Sequence, residues 1–293
     1  EGQQSGMQTL PPHINESLPY FAATSKGIRF ALGAIKGVGT NVVDAIIEGR
    51  IKDGPYLNLY DFISRIDTKR VGKKVIELLV DSGAFDFTGW KRDELRVSID
   101  SMYEEALRLH KEKSTGVLSL FAQVEKSQPR FAIPPKLDKL KNQNRTQDEL
   151  LFREKELLGL FLTGHPLDSF QELIKRLGSI SLSKISELEF GTVFRTACII
   201  ETAEVRFSSK SQKKFAILTI SDGTVDSEGK SRYELPIWPE LFEEKGALIT
   251  ENRLIWVVLS KDKRENNVQL GCRWLCDLKT IDEKMLQEAD IAY

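Results

Sequence analysis

The spacing of apolar residues separates a helical first half of the chain from a strand-rich second half. In the first half, apolar positions recur at the three- and four-residue intervals of an α-helix. The predicted helical segments are 40–50, 59–66, 72–80 and 91–113. The last segment carries a single apolar stripe, formed by Leu95, Ile99, Met102, Ala106 and Leu109. Residues 27–32, before the first helix, have the pattern of a short strand.

The pattern breaks between residues 114 and 146. This stretch is polar, contains three prolines and ends in a charged run, so we predict an extended, partly flexible linker. Two connector helices are predicted after it, over 147–161 and from Leu167 to Leu177.

Beyond Gly178 the apolar positions alternate, as is typical of strands. The predicted strands are 192–204, 213–221, 231–237, 252–260 and 267–276, with a short helix at 239–246 between the third and the fourth. Five strands in this order, with a helix before the fourth, match an OB-fold β-barrel. The sequence therefore predicts an α+β, multidomain protein in which a helical domain and connector helices precede a five-stranded barrel.

Length and composition indicate a globular protein of about two domains. Of its 293 residues, 41% are hydrophobic and 29% are charged, and no run of 18 apolar residues predicts a membrane span. Cys198, Cys272 and Cys276 lack the partners for a disulfide framework or a zinc site and fit a cytoplasmic location. The first four residues have neither an initiator Met nor a signal-peptide pattern, so we expect a portion of a longer chain. The net charge of -1 requires any nucleic-acid-binding surface to be local.

A pair of glycines directly before the first predicted helix is the strongest local signal. Gly37 and Gly39 flank Val38, between Lys36 and Thr40. Glycine lets the backbone approach another surface closely, and the unpaired N–H groups at a helix start attract an anion. This is the arrangement of a helix-hairpin-helix, which holds a DNA phosphate without reading bases. The alternative is an ordinary tight turn with a helix cap.

A second unit of the same kind follows, with a turn over residues 67–72. This turn lacks the first glycine, but it is rich in basic residues that can contact DNA through their side chains. The residues predicted here to contact duplex DNA are Lys69, Arg70, Gly72, Lys73 and Lys74. The alternative is a solvated charged face.

Two loops of the predicted barrel are also basic. In an OB-fold these loops flank the nucleic-acid face, where aromatic rings stack on bases. The predicted single-stranded DNA contacts are Arg206, Phe207, Lys210, Lys213, Lys214, Tyr233, Lys261, Lys263 and Arg264. Phe215 is expected in the barrel core instead.

An apolar cluster lies within the polar linker, at Val117-Leu118-Ser119-Leu120-Phe121. Such a cluster lowers solubility unless it is buried, either within the chain or against a partner. It resembles the short peptide that docks in the groove of a bacterial sliding clamp. Ser119, Leu120 and Phe121 match that peptide, whereas Val117 stands where the family prefers Gln.

Three stretches of the chain resemble the alpha subunits of bacterial DNA polymerase III, the C-type replicative polymerases. They are Gly-Ala-Ile-Lys-Gly-Val-Gly at 33–39, Asp-Ser-Gly-Ala-Phe-Asp at 81–86 and the twelve residues 156–167, which end in Gly-His-Pro-Leu. Almost the whole chain resembles the C-terminal third of these alpha subunits. It implies an end of the fingers at 1–32, tandem helix-hairpin-helices at 33–113, a linker with the clamp peptide at 114–146, connector helices at 147–187, an OB-fold at 188–280 and a tail at 281–293.

This resemblance implies a DNA-binding and clamp-tethering part of a replicase, with the clamp, DNA and other replicase subunits as partners. The metal-binding aspartates of the polymerase palm are not expected here, because the sequence contains no Asp-x-Asp. We therefore predict no catalytic residue, metal or cofactor in this portion, with Mg²⁺ expected in the palm. The alternatives are a repair or recombination scaffold with a hairpin module and an OB-fold, and an autonomous nuclease.

Overall fold

The computed structural model describes residues 8–115, 131–138, 141, 143–208, 212–264, 267–281 and 283–292. The chain divides into two compact units, Glu1–Gly164 and His165–Tyr293. The division falls inside the segment predicted as connector helices, so the first connector helix belongs to the first unit. Helices dominate the first unit and a five-stranded sheet the second, which confirms the predicted α+β class.

A small sheet of three strands opens the described part of the first unit. The strands are β1 (Thr9–Leu10), β2 (Ala22–Thr24) and β3 (Gly27–Arg29), in the order β1-β3-β2. The strand predicted over 27–32 therefore ends early, and one 3-10 turn, Leu32–Ala34, replaces its remainder. The misleading signal is the apolar run Phe30-Ala31-Leu32, whose residues are all buried. A short apolar run does not distinguish a buried strand from a buried turn.

Five α-helices follow among the described residues of this unit. They are α1 (Thr40–Asp53), α2 (Leu59–Arg65), α3 (Lys73–Asp81), α4 (Arg92–Thr115) and α5 (Gln147–Leu158). The predicted stripe of α4 is buried at Leu95, Ile99, Met102 and Ala106, and α4 packs against α2 and α3. This stripe joins one continuous apolar core with the inner faces of the other helices.

Helix α5 ends at Leu158 and not at the predicted residue 161. Gly159 has a φ of +79°, in the left-handed region that favours glycine, and its N–H donates to the Lys155 carbonyl at 2.7 Å. At the other end, Thr146 and Glu149 form a capping box.

A network of buried charges joins α3, α4 and α5. Asp81, at the end of α3, is only 2% exposed and accepts hydrogen bonds from three arginines at 2.9–3.1 Å. The donors are Arg96, Arg145 and Arg153. Glu154 of α5 is completely buried and pairs with Arg92 of α4 at 2.9 Å. A buried charge without its partner is strongly destabilising, so these helices must be in place together.

The second unit begins with short helices. They are a 3-10 helix at Pro166–Phe170, α6 (Gln171–Arg176) and a 3-10 helix at Leu182–Glu187. The helix predicted from Leu167 to Leu177 is thus a 3-10 turn continued by a short α-helix.

Five strands form the sheet of the second unit. They are β4 (Val193–Phe207), β5 (Lys214–Ser221), β6 (Tyr233–Ile237), β7 (Leu254–Arg264) and β8 (Asn267–Asp277). The order is β6-β5-β4-β7-β8, and all neighbours are antiparallel. Strand β4 pairs with β7 through its first half and with β5 through its second, with a bulge between Ile200 and Thr202. A bulge bends a strand, which lets β4 serve both partners.

Alternate residues of the strands supply the core of this unit. Leu218 of β5 and Val257 of β7 are completely buried, and the edge strands β6 and β8 contact each other. The predicted helix between the third and fourth strands is α7 (Pro239–Lys245). The predicted tail contains α8 (Glu283–Ala292), which packs against β8.

Candidate nucleic-acid interfaces

Two helices of the first unit begin at glycines with the same backbone conformation. Gly39 precedes α1 with φ −81° and ψ 161°, and Gly72 precedes α3 with φ −76° and ψ 160°. Neither helix start receives a side-chain cap, and a methyl group on either glycine would meet no atom within 4 Å. The first N–H groups of both helices are therefore open to an external acceptor, and the helix dipole favours an anionic one.

The first hairpin turn, residues 35–39, is fixed by its backbone. Gly37 has a φ of +87°, and a Cβ atom there would lie 2.7 Å from Leu78 Cδ1 of α3. Val38 is buried and its N–H donates to the Ile35 carbonyl at 3.0 Å. The Lys36 N–H donates to the Leu157 carbonyl at 3.0 Å, while the Lys36 side chain is exposed. Val38 thus anchors the turn and leaves the backbone around Gly39 at the surface.

The second hairpin turn, residues 67–72, is closed by the Asp67 carbonyl, which accepts the N–H groups of Arg70 and Val71 at 3.0 and 2.9 Å. Val71 is completely buried and corresponds to Val38 of the first turn. The side chain of Arg70 reaches α1, where it pairs with Glu48 at 2.5 Å. The second turn therefore packs beside the helix that follows the first.

The predicted duplex contacts now differ in their surroundings. Lys36, Lys69 and Lys74 are exposed, as is Thr40 at the start of α1. Within the described residues, ion pairs of the two turns involve Arg70 and Lys73, the latter 2.6 Å from Asp100 of α4. Exposed lysines beside an open helix start are the arrangement expected of a phosphate contact.

In the second unit, aromatic rings and lysines meet where β4 ends and β5 begins. Phe207 is 64% exposed, and Lys214 Nζ lies 5.8 Å from the centroid of its ring. Phe215 stacks on Trp238 with 6.0 Å between ring centroids. The prediction that Phe215 lies in the core is wrong, because Ala216 takes the core-facing position of β5 and Phe215 is only half-buried. Sequence analysis also missed Trp238, whose proximity arises from strand pairing.

Of the other predicted basic contacts, Arg206 and Lys213 form ion pairs, and Lys263 lies beside a different aromatic ring. Arg206 pairs with Glu204 at 2.5 Å, and Lys213 pairs with Glu243 at 3.2 Å. Lys263 is exposed, with Nζ 5.9 Å from the ring of Phe190, an exposed aromatic residue that the sequence did not single out.

Tyr233 and Lys261 are corrections to the predicted DNA contacts. Tyr233 is buried, its hydroxyl donates to Asp226 at 2.7 Å, and burial and this hydrogen bond raise its pKa above the ordinary value. Lys261 is 4% exposed, and its Nζ donates to the carbonyls of Ser186 and Leu188 at 3.2 and 2.5 Å. Both belong to the core-facing row of alternate residues in their strands, so neither side chain is available to DNA.

Several predicted site residues lie outside the described part of the chain. They are Lys210 and the whole clamp peptide, Val117, Leu118, Ser119, Leu120 and Phe121. The same holds for the side chain of Arg264. These assignments stay predictions.

No group of three or more His, Cys, Asp or Glu side chains that could hold a metal ion occurs among the described residues. The helices that the structure describes include none that is long and apolar enough to cross a membrane. Burial raises the pKa of the Cys272 thiol to about 12 and that of Cys198 well above its ordinary value, which favours the protonated thiol at both positions.

Comparison with known proteins agrees with this geometry. A family model described as a helix-hairpin-helix motif matches residues 6–95, a range that contains both hairpin turns. The DNA polymerase III subunit alpha of Chlamydia pneumoniae is 42% identical over 296 residues, covering 100% of this chain. The chain is homologous to the DNA polymerase III alpha subunits. The proteins of the same name from Escherichia coli K12 and Vibrio cholerae are 29% and 28% identical, over 95% and 100% of the chain. The chain spans about a quarter of these alpha subunits, 23–24% of their length, in their C-terminal region.

Two of the three stretches that resemble the alpha subunits hold the helices together. In residues 81–86, Asp81 joins the buried network and Asp86 receives two hydrogen bonds from Arg92, at 3.0 and 2.7 Å. In residues 156–167, Thr163 donates its N–H and its hydroxyl to the buried Glu154 at 2.9 and 2.8 Å. Residues 81–86 and 156–167 therefore contribute to the contacts that hold the helices in place. Of the three stretches, only residues 33–39 include an open helix start.

Proposed function

We propose that this chain is the part of a replicative DNA polymerase that holds duplex DNA and tethers the enzyme to its sliding clamp during DNA replication in the cytoplasm. The observation that carries the proposal is the pair of open, glycine-capped helix starts in a homologue of DNA polymerase III alpha subunits. Nucleotidyl transfer, with Mg²⁺ in a palm domain, would belong to another part of such a polymerase, and we assign no catalytic residue to this part.

Each helix start would hold one backbone phosphate of the duplex. The N–H groups behind Gly39 and Gly72 supply the hydrogen bonds. Lys36 stands beside the first start, and Lys69 and Lys74 beside the second. Contacts of this kind read no bases, so binding is independent of sequence and the log of the affinity falls by about 0.9 per phosphate for each log unit of salt.

The two glycines permit a test that preserves the fold. Gly39→Asp and Gly72→Asp each place a carboxylate at an N-cap that has room for it, and aspartate is a preferred N-cap residue. The carboxylate occupies the helix N–H groups and repels a phosphate, so we expect each variant to weaken duplex binding about tenfold, measured by fluorescence anisotropy. Gly39→Ala and Gly72→Ala are the matched controls. If the double aspartate variant keeps its helical circular dichroism and binds duplex like the wild type, the hairpin proposal is refuted.

We propose further that the five-stranded sheet is an OB-fold that binds single-stranded template. The support is the strand order, the helix between β6 and β7, and the contact between the edge strands. Phe207, Phe215 and Trp238 present rings at the surface beside Lys214. Base stacking on such rings contributes about 1–3 kcal/mol for each base.

Substitution of the most exposed ring tests this surface. Phe207→Ala should weaken binding of an oligo-dT at least about fivefold, because one stacked base is lost. Phe21→Ala, which removes a ring that is 53% exposed in the other unit, is the control. Equal affinities for both variants would leave a protein partner, such as another replicase subunit, as the ligand of the sheet.

The clamp tether rests on the sequence 117–121. A sliding-clamp pull-down should lose the chain when Leu120→Ala and Phe121→Ala are combined, because the apolar tip fills the groove. Val117→Gln should strengthen capture by restoring the residue that the clamp peptides prefer. Capture that survives the double alanine variant would contradict the tether.

A repair or recombination scaffold is the alternative for a chain with these two modules. The alpha-subunit relatives favour the replicase, because those of Chlamydia pneumoniae and Escherichia coli K12 match 100% and 95% of the chain. A preference for branched over linear duplex, without clamp capture, would favour the scaffold instead.

A further inference from the structure

The second hairpin turn carries more positive charge in its sequence than the ion pairs of the described residues leave uncompensated. Four of its residues and neighbours are basic: Lys69, Arg70, Lys73 and Lys74. Two of these four are held by carboxylates of other helices, Arg70 by Glu48 of α1 and Lys73 by Asp100 of α4. The partners come from 22 residues upstream and from a separate helix downstream, so these pairings arise from the tertiary fold.

The guanidinium of Arg70 makes several hydrogen bonds to α1. It donates to Glu48 at 2.5 Å from one nitrogen and at 3.4 Å from the other. The second nitrogen also donates to the Asn41 carbonyl at 3.2 Å. Asn41 lies in the first turn of α1, so Arg70 extends along the helix that starts at Gly39. A guanidinium of the second turn thus lies beside the open helix start of the first turn but is directed at a carboxylate.

The pairing of Lys73 is equally close. Its Nζ lies 2.6 Å from Asp100 Oδ1, although both side chains are largely exposed. The hydrogen bond that Lys73 donates to Asp100 raises the pKa of Lys73, and the one that Arg70 donates to Glu48 raises the pKa of Arg70. Exposed ion pairs are weak because water and salt screen them, so a DNA phosphate can compete for either cation.

We infer that Glu48 and Asp100 compete with DNA phosphates for Arg70 and Lys73, and so weaken the hold of the second hairpin turn on the duplex. The inference rests on the proposed function of the turns. A polymerase must release each phosphate as the duplex advances. A cation that is shared between a carboxylate and a phosphate binds the phosphate more weakly than an unpaired cation does, which makes this release easier. Glu48 and Asp100 would then set the strength of binding without contacting DNA.

Removal of the carboxylate charges tests this inference. Glu48→Gln and Asp100→Asn keep the shape of each side chain and release one cation each. We expect each to steepen the plot of log affinity against log salt by about 0.9, and to raise duplex affinity about threefold at low salt. Glu16→Gln is the matched control, because Glu16 is also exposed and paired with an arginine, Arg29, but in the lead-in sheet. It makes the same change in net charge and should leave the slope unchanged.

A double variant separates competition from a structural role. In Glu48→Gln combined with Arg70→Gln, the released cation is absent, so the slope should return to the wild-type value. A steeper slope that persists in this double variant would overturn the inference, as would unchanged slopes in both single variants. If the wild-type chain shows no salt-dependent duplex binding at all, the proposed function of the turns fails first. A wild type that binds while the Glu48 and Asp100 variants match it would refute the competition alone.

Discussion

The first hairpin turn is distinguished by its backbone, which has a left-handed glycine, whereas the second is distinguished by basic side chains that pair with carboxylates of other helices. Gly37 requires a left-handed φ of +87°, but the corresponding residue of the second turn is Arg70, which is not among the residues with positive φ in the described part of the chain. Both turns nevertheless end in a buried valine and a glycine cap with nearly identical angles. An open helix start thus needs the valine anchor and the cap, and the residues before them can vary.

The two turns also differ in how their helices are anchored. Helix α3, after the second turn, ends at Asp81 within the buried charge network. Helix α1, after the first, ends before Gly54, and its last turns are held by Arg50, which donates to the carbonyls of Ile14 and Ser17 at 2.8 and 2.7 Å. The second turn therefore depends on ion pairs to one buried carboxylate, that of Asp81, and the first on hydrogen bonds from Arg50 to backbone carbonyls.

The largest expected effect comes from breaking the anchor of the second turn. Asp81→Asn leaves three arginines without their shared carboxylate, so we expect the free energy of unfolding to fall by about 3–5 kcal/mol in urea denaturation. Glu156→Gln is the control, because Glu156 is exposed and pairs only with Arg153 in the network. A loss below about 1 kcal/mol for Asp81→Asn would mean that apolar contacts alone fix α3.

The elements were predictable because they depend on local patterns. The starts of the five helices of the first unit agree with the predicted starts to within one residue. All five strands of the second unit lie where the alternation of apolar residues predicts them. The end of α5 was missed because the glycine at 159 outweighs the apolar residues that follow it. The buried network could not be read from the sequence, since Asp81 and Arg153 are 72 positions apart.

The second largest effect on stability is expected from a change in the backbone of the first turn. Gly37→Ala forces a side chain into the left-handed region and toward Leu78, so it should lower stability by about 1–3 kcal/mol and weaken duplex binding with it. Gly39→Ala is the matched control, because Gly39 has an ordinary φ and open space. Equal melting temperatures for the two variants would show that the turn tolerates a conformation like that of Arg70 in the second turn.

Strand alternation explains what the sequence could and could not predict of the site. Lys261 stands in a basic run, but it continues the core-facing row of Val257 and Leu259, so its ammonium bonds to carbonyl groups inside the unit. A charge count along the chain cannot detect this, whereas the alternation of β7 and the pairing of Lys261 with the buried Leu270 show it. The pairing of Arg70 with Glu48 is likewise a property of helix packing and not of either local sequence.

The smallest effect is the most direct comparison of the two turns. Lys36→Ala removes an exposed lysine of the first turn that has no ion pair within the described residues, whereas Lys73→Ala removes one that Asp100 already holds. We expect Lys36→Ala to reduce the salt slope of duplex binding by about 0.9, a loss of about threefold in affinity at low salt. Lys73→Ala should change the slope much less, because its charge is already neutralised. Equal reductions in a salt titration of both variants would mean that Asp100 releases Lys73 fully when DNA binds, and that the two turns contribute equal charge to the complex despite their different partners in the free protein.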